Sequence, residues 1–83
     1  MKNPIWIVNH VQTMPDYKLL ISFGDGSKKI FDTKPLLNDK IFSELKNPAI
    51  FSRARVECGT VVWSDDLDIA PEYLYENSIL AEE

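Results

Sequence analysis

Few side chains in this sequence are suited to chemistry, and their spacing decides what they could do. There is one histidine, His10, and one cysteine, Cys58. His10 falls inside a β-prone run with no nucleophile or orienting acid beside it, and a catalytic histidine needs such a partner. A structural or surface role is favoured, because constellations rather than single residues carry chemistry. Cys58 adjoins Gly59 at an expected turn. Arg53 and Arg55 are near in sequence, but Glu57 is its direct neighbour, so the setting is not the cationic one a reactive thiol requires. An inert cysteine is the expectation.

The best oxygen-ligand cluster is Asp65, Asp66 and Asp68, with Glu72 nearby. Hard cations take grouped carboxylates, but a calcium loop wants acids at alternate positions and a fixed glycine, which this stretch lacks. A solvated acidic turn is favoured, and neither a metal nor another cofactor is expected. Two short basic groups remain. Lys28 and Lys29 (with Lys34 near) and Arg53 with Arg55 could touch a phosphate or an acidic partner. More often such residues rim an amphipathic sheet or blunt an exposed edge strand. There is no phosphate-cradling glycine loop, zinc spacing or triad order, so no enzymatic activity is expected.

The aromatic residues are more suggestive. Tryptophan and tyrosine are enriched at interfaces and their energetic centres. Trp63 closes a β-run beside a turn, and Tyr73 and Tyr75 sit on a short terminal helix. Together with Asp65 and Asp66 they form the candidate partner-binding set.

These residues must be positioned by a small scaffold. Its 83 residues suffice for one domain spanning 1–83. A hydrophobic content of 45% fits a globular chain. A net charge of −4 is unsuited to gripping a phosphate backbone through bulk electrostatics. The lone cysteine rules out an internal disulfide framework. Ile5-Trp6-Ile7-Val8 is too short for a signal-peptide core or a membrane span, so the expected location is the cytoplasm.

The clearest structural signal is a β-hairpin over Tyr17 to Asp32, with Asp25-Gly26 at its turn. A two-residue loop would set Ile21 opposite Ile30 and Leu20 opposite Phe31, pairing apolar with apolar. A three-residue loop would set Ile21 against Lys29, and the first register is preferred. Before the hairpin, Ile5 to Gln12 reads as a strand, with Ile5, Ile7 and Val11 on one face and Trp6, Val8 and His10 on the other. After it, Asp39 to Asn47 reads as a short helix. Asn47-Pro48 starts a second, with asparagine as N-cap and proline at the first helical position. Arg53 to Cys58 and Thr60 to Trp63 read as a second hairpin about Gly59. Pro71 opens a last helix reaching about Ser78, with Leu74 facing inward. The expected class is α+β: a small antiparallel sheet, made of a three-stranded meander plus a second hairpin, with short helices packed on one face. Phe42, Leu45, Ile50, Phe51 and Leu74 are the candidate covers.

The order of several motifs resembles one small bacterial family. They are Phe23-Gly24-Asp25-Gly26, Phe31-Asp32-x-x-Pro35-Leu36-Leu37, Phe42-x-x-Leu45-x-x-Pro48-x-x-Phe51, Val56-x-x-Gly59-Thr60-Val61-Val62-Trp63 and Asp68-Ile69-x-Pro71-Glu72-x-Leu74-Tyr75. The family is the domain of unknown function 2442 (DUF2442), and the similarity runs over nearly the whole chain. The resemblance implies a small α+β fold without an assigned activity. It also implies frequent pairing with a neighbouring small protein, in an arrangement that looks like toxin and antitoxin. Some relatives carry a helix-turn-helix domain after this one. The present sequence stops soon after its last helix, which removes the simplest DNA-binding expectation. Two departures stand out. The family's Trp-Pro-Asn-Gly-Ala-Asp is Trp63-Ser64-Asp65-Asp66-Leu67-Asp68 here, and Ala70 replaces an Asp that would cap the last helix.

The expected function is therefore a non-enzymatic protein-interaction module, antitoxin-like toward another small protein encoded next to it. The alternative is an accessory or autoregulatory nucleic-acid-binding role for Lys28, Lys29, Arg53 and Arg55. An exposed edge, at the first strand or at Thr60–Trp63, would also allow two copies to pair as a homodimer.

Overall fold

The structure is a computed structural model that describes residues 6–64 and 67–81. Its first sheet begins as the expected meander of β1 (Val8–Met14), β2 (Lys18–Phe23) and β3 (Lys28–Asp32), all antiparallel. Leu19, Ile21 and Phe23 alternate along β2 and are fully buried, as period two requires.

The hairpin register is the three-residue one, correcting the preferred expectation. Ile21 lies opposite Lys29, Leu20 opposite Ile30 and Leu19 opposite Phe31. The reason is the conformation of the turn. Gly26 alone takes positive φ, at 86°. Its N–H donates to the Phe23 carbonyl at 3.0 Å, and Phe23 N–H donates to Ser27 at 2.9 Å. A tight turn closed by one left-handed residue is the usual three-residue loop, whereas the two-residue form would need Asp25 left-handed as well. Asp25 instead uses its carboxylate to accept from the Ser27 N–H at 2.9 Å and the Ser27 hydroxyl at 2.6 Å.

β1 starts later than expected and contains a bulge. Val8 pairs with Phe23 and His10 with Ser22, which leaves Asn9 as the extra residue. The insertion changes the face on which Val8 lies. Val8 and Val11, expected on opposite faces, therefore both lie on the inward side with Phe23 and Ile21. His10 is exposed.

Between the sheets the chain does not form the expected helix over residues 39–47. It makes two 3₁₀ helices, Lys34–Asn38 and Ser43–Lys46. Asp39 is extended, and its carboxylate accepts the Ile41 N–H at 2.9 Å. That local bond gives the backbone an alternative to helix. The next start follows the sequence closely. Asn47 caps α1 (Pro48–Phe51) by accepting the Ala49 N–H at 3.0 Å, with Pro48 at the first position.

A second sheet follows, made of β4 (Arg55–Glu57), β5 (Thr60–Ser64) and β6 (Leu67–Ile69), with β5 in the middle. Cys58 and Gly59 form its first turn, both at positive φ (53° and 78°), as a two-residue hairpin loop demands. Because β5 pairs on both sides, the free edge expected at Thr60–Trp63 does not exist. α2 (Pro71–Asn77) then returns the chain to the first sheet. There β7 (Ile79–Leu80) adds outside β3, giving the order β1-β2-β3-β7. The two sheets meet where Val8 N–H donates to Gly59 at 2.8 Å. Leu45, Phe51, Trp63 and Leu74 close the common core with the inward face of β2. Each such side chain contributes on the order of 1.5–3 kcal/mol when buried. The fold is α+β, as expected, with both the meander and the second hairpin present and each extended by one short strand.

Candidate partner-binding site

α2 is the element that turns sequence into a surface. Its Leu74 is buried and fixes the helix on the core, which forces Tyr73 and Tyr75 to neighbouring flanks. Tyr75 is half-buried. Its ring meets Phe23 edge-on, with centroids 5.0 Å apart. Its hydroxyl donates to Asp25 at 2.7 Å, and Lys29 Nζ lies 3.7 Å from its ring centroid. The Lys29 ammonium also donates to the Tyr75 carbonyl at 3.1 Å. The Ser27 hydroxyl, the Tyr75 hydroxyl and the Ser27 N–H all favour the charged carboxylate, holding the Asp25 carboxyl at about 2. The same bond to Asp25 raises the Tyr75 phenol. Asp25, Ser27, Lys29 and Tyr75 join the hairpin turn to the last helix. Tyr75 is thus largely a structural clasp.

Tyr73 is different. It rests edge-on against Phe31 at 5.9 Å but stays 42% exposed. Beside it opens a groove of about 380 Å³, lined by Leu36, Asp39, Phe42, Asp68, Ile69, Ala70 and Tyr73. The 3₁₀ helix Lys34–Asn38 supplies Leu36, and the Asp39 turn leads to Phe42. The end of β6 supplies Asp68 to Ala70. The floor is apolar, and the rim carries two carboxylates, Asp39 and Asp68, with no cationic side chain in the lining. An open, apolar groove near the small end of ligand-site volumes suits a side chain of a partner better than an enclosed small molecule.

The other expected site residues are placed less favourably. Trp63 is 2% exposed, and its indole N–H donates to the Phe51 carbonyl at 3.1 Å inside the core. It is a core residue and not a contact surface, because both faces of β5 are covered. Asp65 and Asp66 lie outside the described residues, so the acidic turn is represented by Asp68 alone. Among the described residues, no group of three or more His, Cys, Asp or Glu side chains comes together.

The basic residues are dispersed. Lys28 and Lys29 sit on β3, two strands from β1, and β1 is the strand that packs beside β4, where Arg55 lies. At about 4.8 Å per strand, that puts roughly 10 Å of sheet between the β3 lysines and β1 alone. Lys29 is held by Tyr75. Arg55 pairs with Glu57 at 2.6 Å and donates to the Trp63 carbonyl at 3.2 Å. Lys28 and Arg53 are exposed. The sequence signalled Tyr73 and Asp68. It gave no signal for Leu36, Asp39, Ile69 and Ala70 as groove residues, since they come together only where the 36–42 stretch meets the 68–73 stretch in the fold.

The geometry defines a small two-sheet α+β protein with an open, acid-rimmed apolar groove. The chain belongs to the family described as protein of unknown function DUF2442, whose model matches residues 8–79. No curated protein matches it. Among solved structures it is similar to the "Putative DNA Binding Protein NE0471 from Nitrosomonas europaea". The TM-score is 0.76 at 20% identity, over 87% of this chain and 48% of that one. The present chain therefore spans about half the length of that protein. At this identity the likeness is one of fold. Among the described residues no helix is long and apolar enough to cross a membrane.

Proposed function

We propose that this protein is a non-enzymatic protein-interaction module that pairs with another small protein, in an antitoxin-like relation to the product of an adjacent gene. The observation that carries this reading is the groove beside Tyr73: an exposed aromatic, an apolar floor and a rim of carboxylates. Interfaces favour this combination of a central aromatic anchor with a polar surround. An acidic rim on a chain of net charge −4 would complement a basic partner and speed its capture. The test is to co-purify the chain with the adjacent gene's product. A stable complex at micromolar concentration is expected, and its absence would overturn the antitoxin-like pairing.

A second reading, accessory nucleic-acid binding through Lys28, Lys29, Arg53 and Arg55, draws on the name of the Nitrosomonas europaea structure. The separation of those residues across the sheets weighs against it. A mobility-shift assay at low salt, where phosphate contacts are strongest, should stay blank. A salt-sensitive shift that Lys28→Ala and Arg53→Ala abolish would instead support that reading.

A further inference from the structure

One wall of the groove is the end of β6. β6 is the outer strand of its sheet, and among the described residues the edge it turns away from β5 has no strand beside it. Asp68, Ile69 and Ala70 run along the groove, and Ala70 keeps the backbone extended at φ −64° and ψ 134° before α2 begins. An open strand edge beside an apolar trough is the arrangement that captures extended peptides. Main-chain bonds add a strand, and alternate side chains enter the pocket. Charge narrows the occupant further. One Asp39 oxygen accepts the Ile41 N–H, and its other oxygen is unpaired among the described residues. Asp68 forms no ion pair among the described residues and is exposed.

We propose that the partner is held by an extended basic segment that adds to the free edge of β6. An apolar side chain of that segment seats between Leu36, Phe42 and Tyr73, and a lysine or arginine near it faces Asp39 and Asp68. This rests on the interaction reading above and names the kind of segment its groove takes. The alternation of a strand explains why one side chain can enter the floor while its neighbours reach the rim. The short β6 limits the added strand to a few residues, so the affinity comes mainly from the anchor and the charges.

The test uses the full chain and a displayed library of random short peptides, followed by fluorescence anisotropy with the most enriched sequence. Enriched peptides are expected to carry an apolar residue with lysine or arginine close by. Asp68→Lys, at an exposed position, should weaken binding about tenfold, by replacing an attraction with a repulsion. Tyr73→Ala should weaken it about fivefold or more, as loss of an aromatic anchor does. N-methylation of alternate peptide amides, which leaves side chains and charge unchanged, should weaken it similarly for one of the two alternations. The proposal is overturned if no basic and apolar peptides are enriched, or if both variants bind like the parent. It is also overturned if neither N-methylated series loses affinity. If the adjacent gene's product still binds Asp68→Lys and Tyr73→Ala at full strength, the interaction module stands and this groove is not its contact. If that product fails to bind the parent chain while the peptides bind as expected, the antitoxin-like pairing falls and the groove stands.

Discussion

Helix α2 begins without a side-chain cap. Its N-cap is Ala70, whose backbone is already in the extended conformation a cap requires. The Leu74 N–H already donates to the Ala70 carbonyl at 3.2 Å. Pro71 has no N–H to satisfy, so the amides of Glu72 and Tyr73 are the ones left without an intrahelical acceptor. A serine or aspartate at position 70 would offer a side-chain oxygen to these two. Replacing alanine with such a cap is worth about 1 kcal/mol, within a range of roughly 0.5–2. For a chain of this size, 1 kcal/mol moves the melting temperature by about 4–8 °C. Ala70→Ser and Ala70→Asp should therefore both melt higher by that amount, measured by circular dichroism. Aspartate also gains from the helix dipole but sits near Asp68 and Glu72, so its advantage over serine should be small and should change with salt. The reasoning is refuted if both variants melt within about 1 °C of the parent, since each degree is only about 0.1–0.3 kcal/mol.

Other consequences follow from the core and the turns. Trp63→Phe removes the buried indole donor and leaves the Phe51 carbonyl with only the Ala54 N–H at 3.3 Å. It should cost about 2–4 kcal/mol in urea denaturation, combining the lost bond with a cavity. Asp25 is held at about 2 in the folded chain, below the ordinary 3.8, so its stabilising effect is complete above roughly pH 4 and is lost as pH falls toward 2. Asp25→Asn should accordingly lower the melting temperature at pH 6 and match the parent near pH 2. Tyr75→Phe should raise the Asp25 carboxyl, read by carbon-detected NMR titration. Gly59→Ala should destabilise by about 1–2 kcal/mol through its φ of 78°, because the added methyl would meet only Ile7 at an ordinary 3.6 Å.

The sequence signals that survived folding are local ones. Asn47-Pro48 announces α1 because the cap and the fixed proline φ act within one turn, and Gly59 marks a turn for the same reason. The hairpin was legible in place but not in register. Gly24-Asp25-Gly26 can close in more than one way, and the choice depends on Asp25 binding Ser27 instead of taking left-handed backbone. Strand β6 has three residues and β7 two, too short for periodicity to show, and both exist through partners distant in the chain. Trp63 was expected at a partner surface because tryptophan is enriched at interfaces and this one ends a β-run beside a turn. Period two assigns a strand one wet face, yet Val61, Val62 and Trp63 are all buried because β5 is covered on both sides. At the candidate site, Tyr73 and Asp68 were visible as residue types. The groove itself was not, because its walls come from two stretches far apart in sequence, residues 36–42 and 68–73.

The proposed role of this fold is to hold another protein at the Tyr73 groove. Calorimetric titration of the chain with the adjacent gene's product tests it most directly. The account predicts a one-to-one complex of micromolar or tighter affinity that Tyr73→Ala weakens about fivefold or more. Absence of binding heat at several temperatures, or an affinity that Tyr73→Ala leaves unchanged, would contradict it.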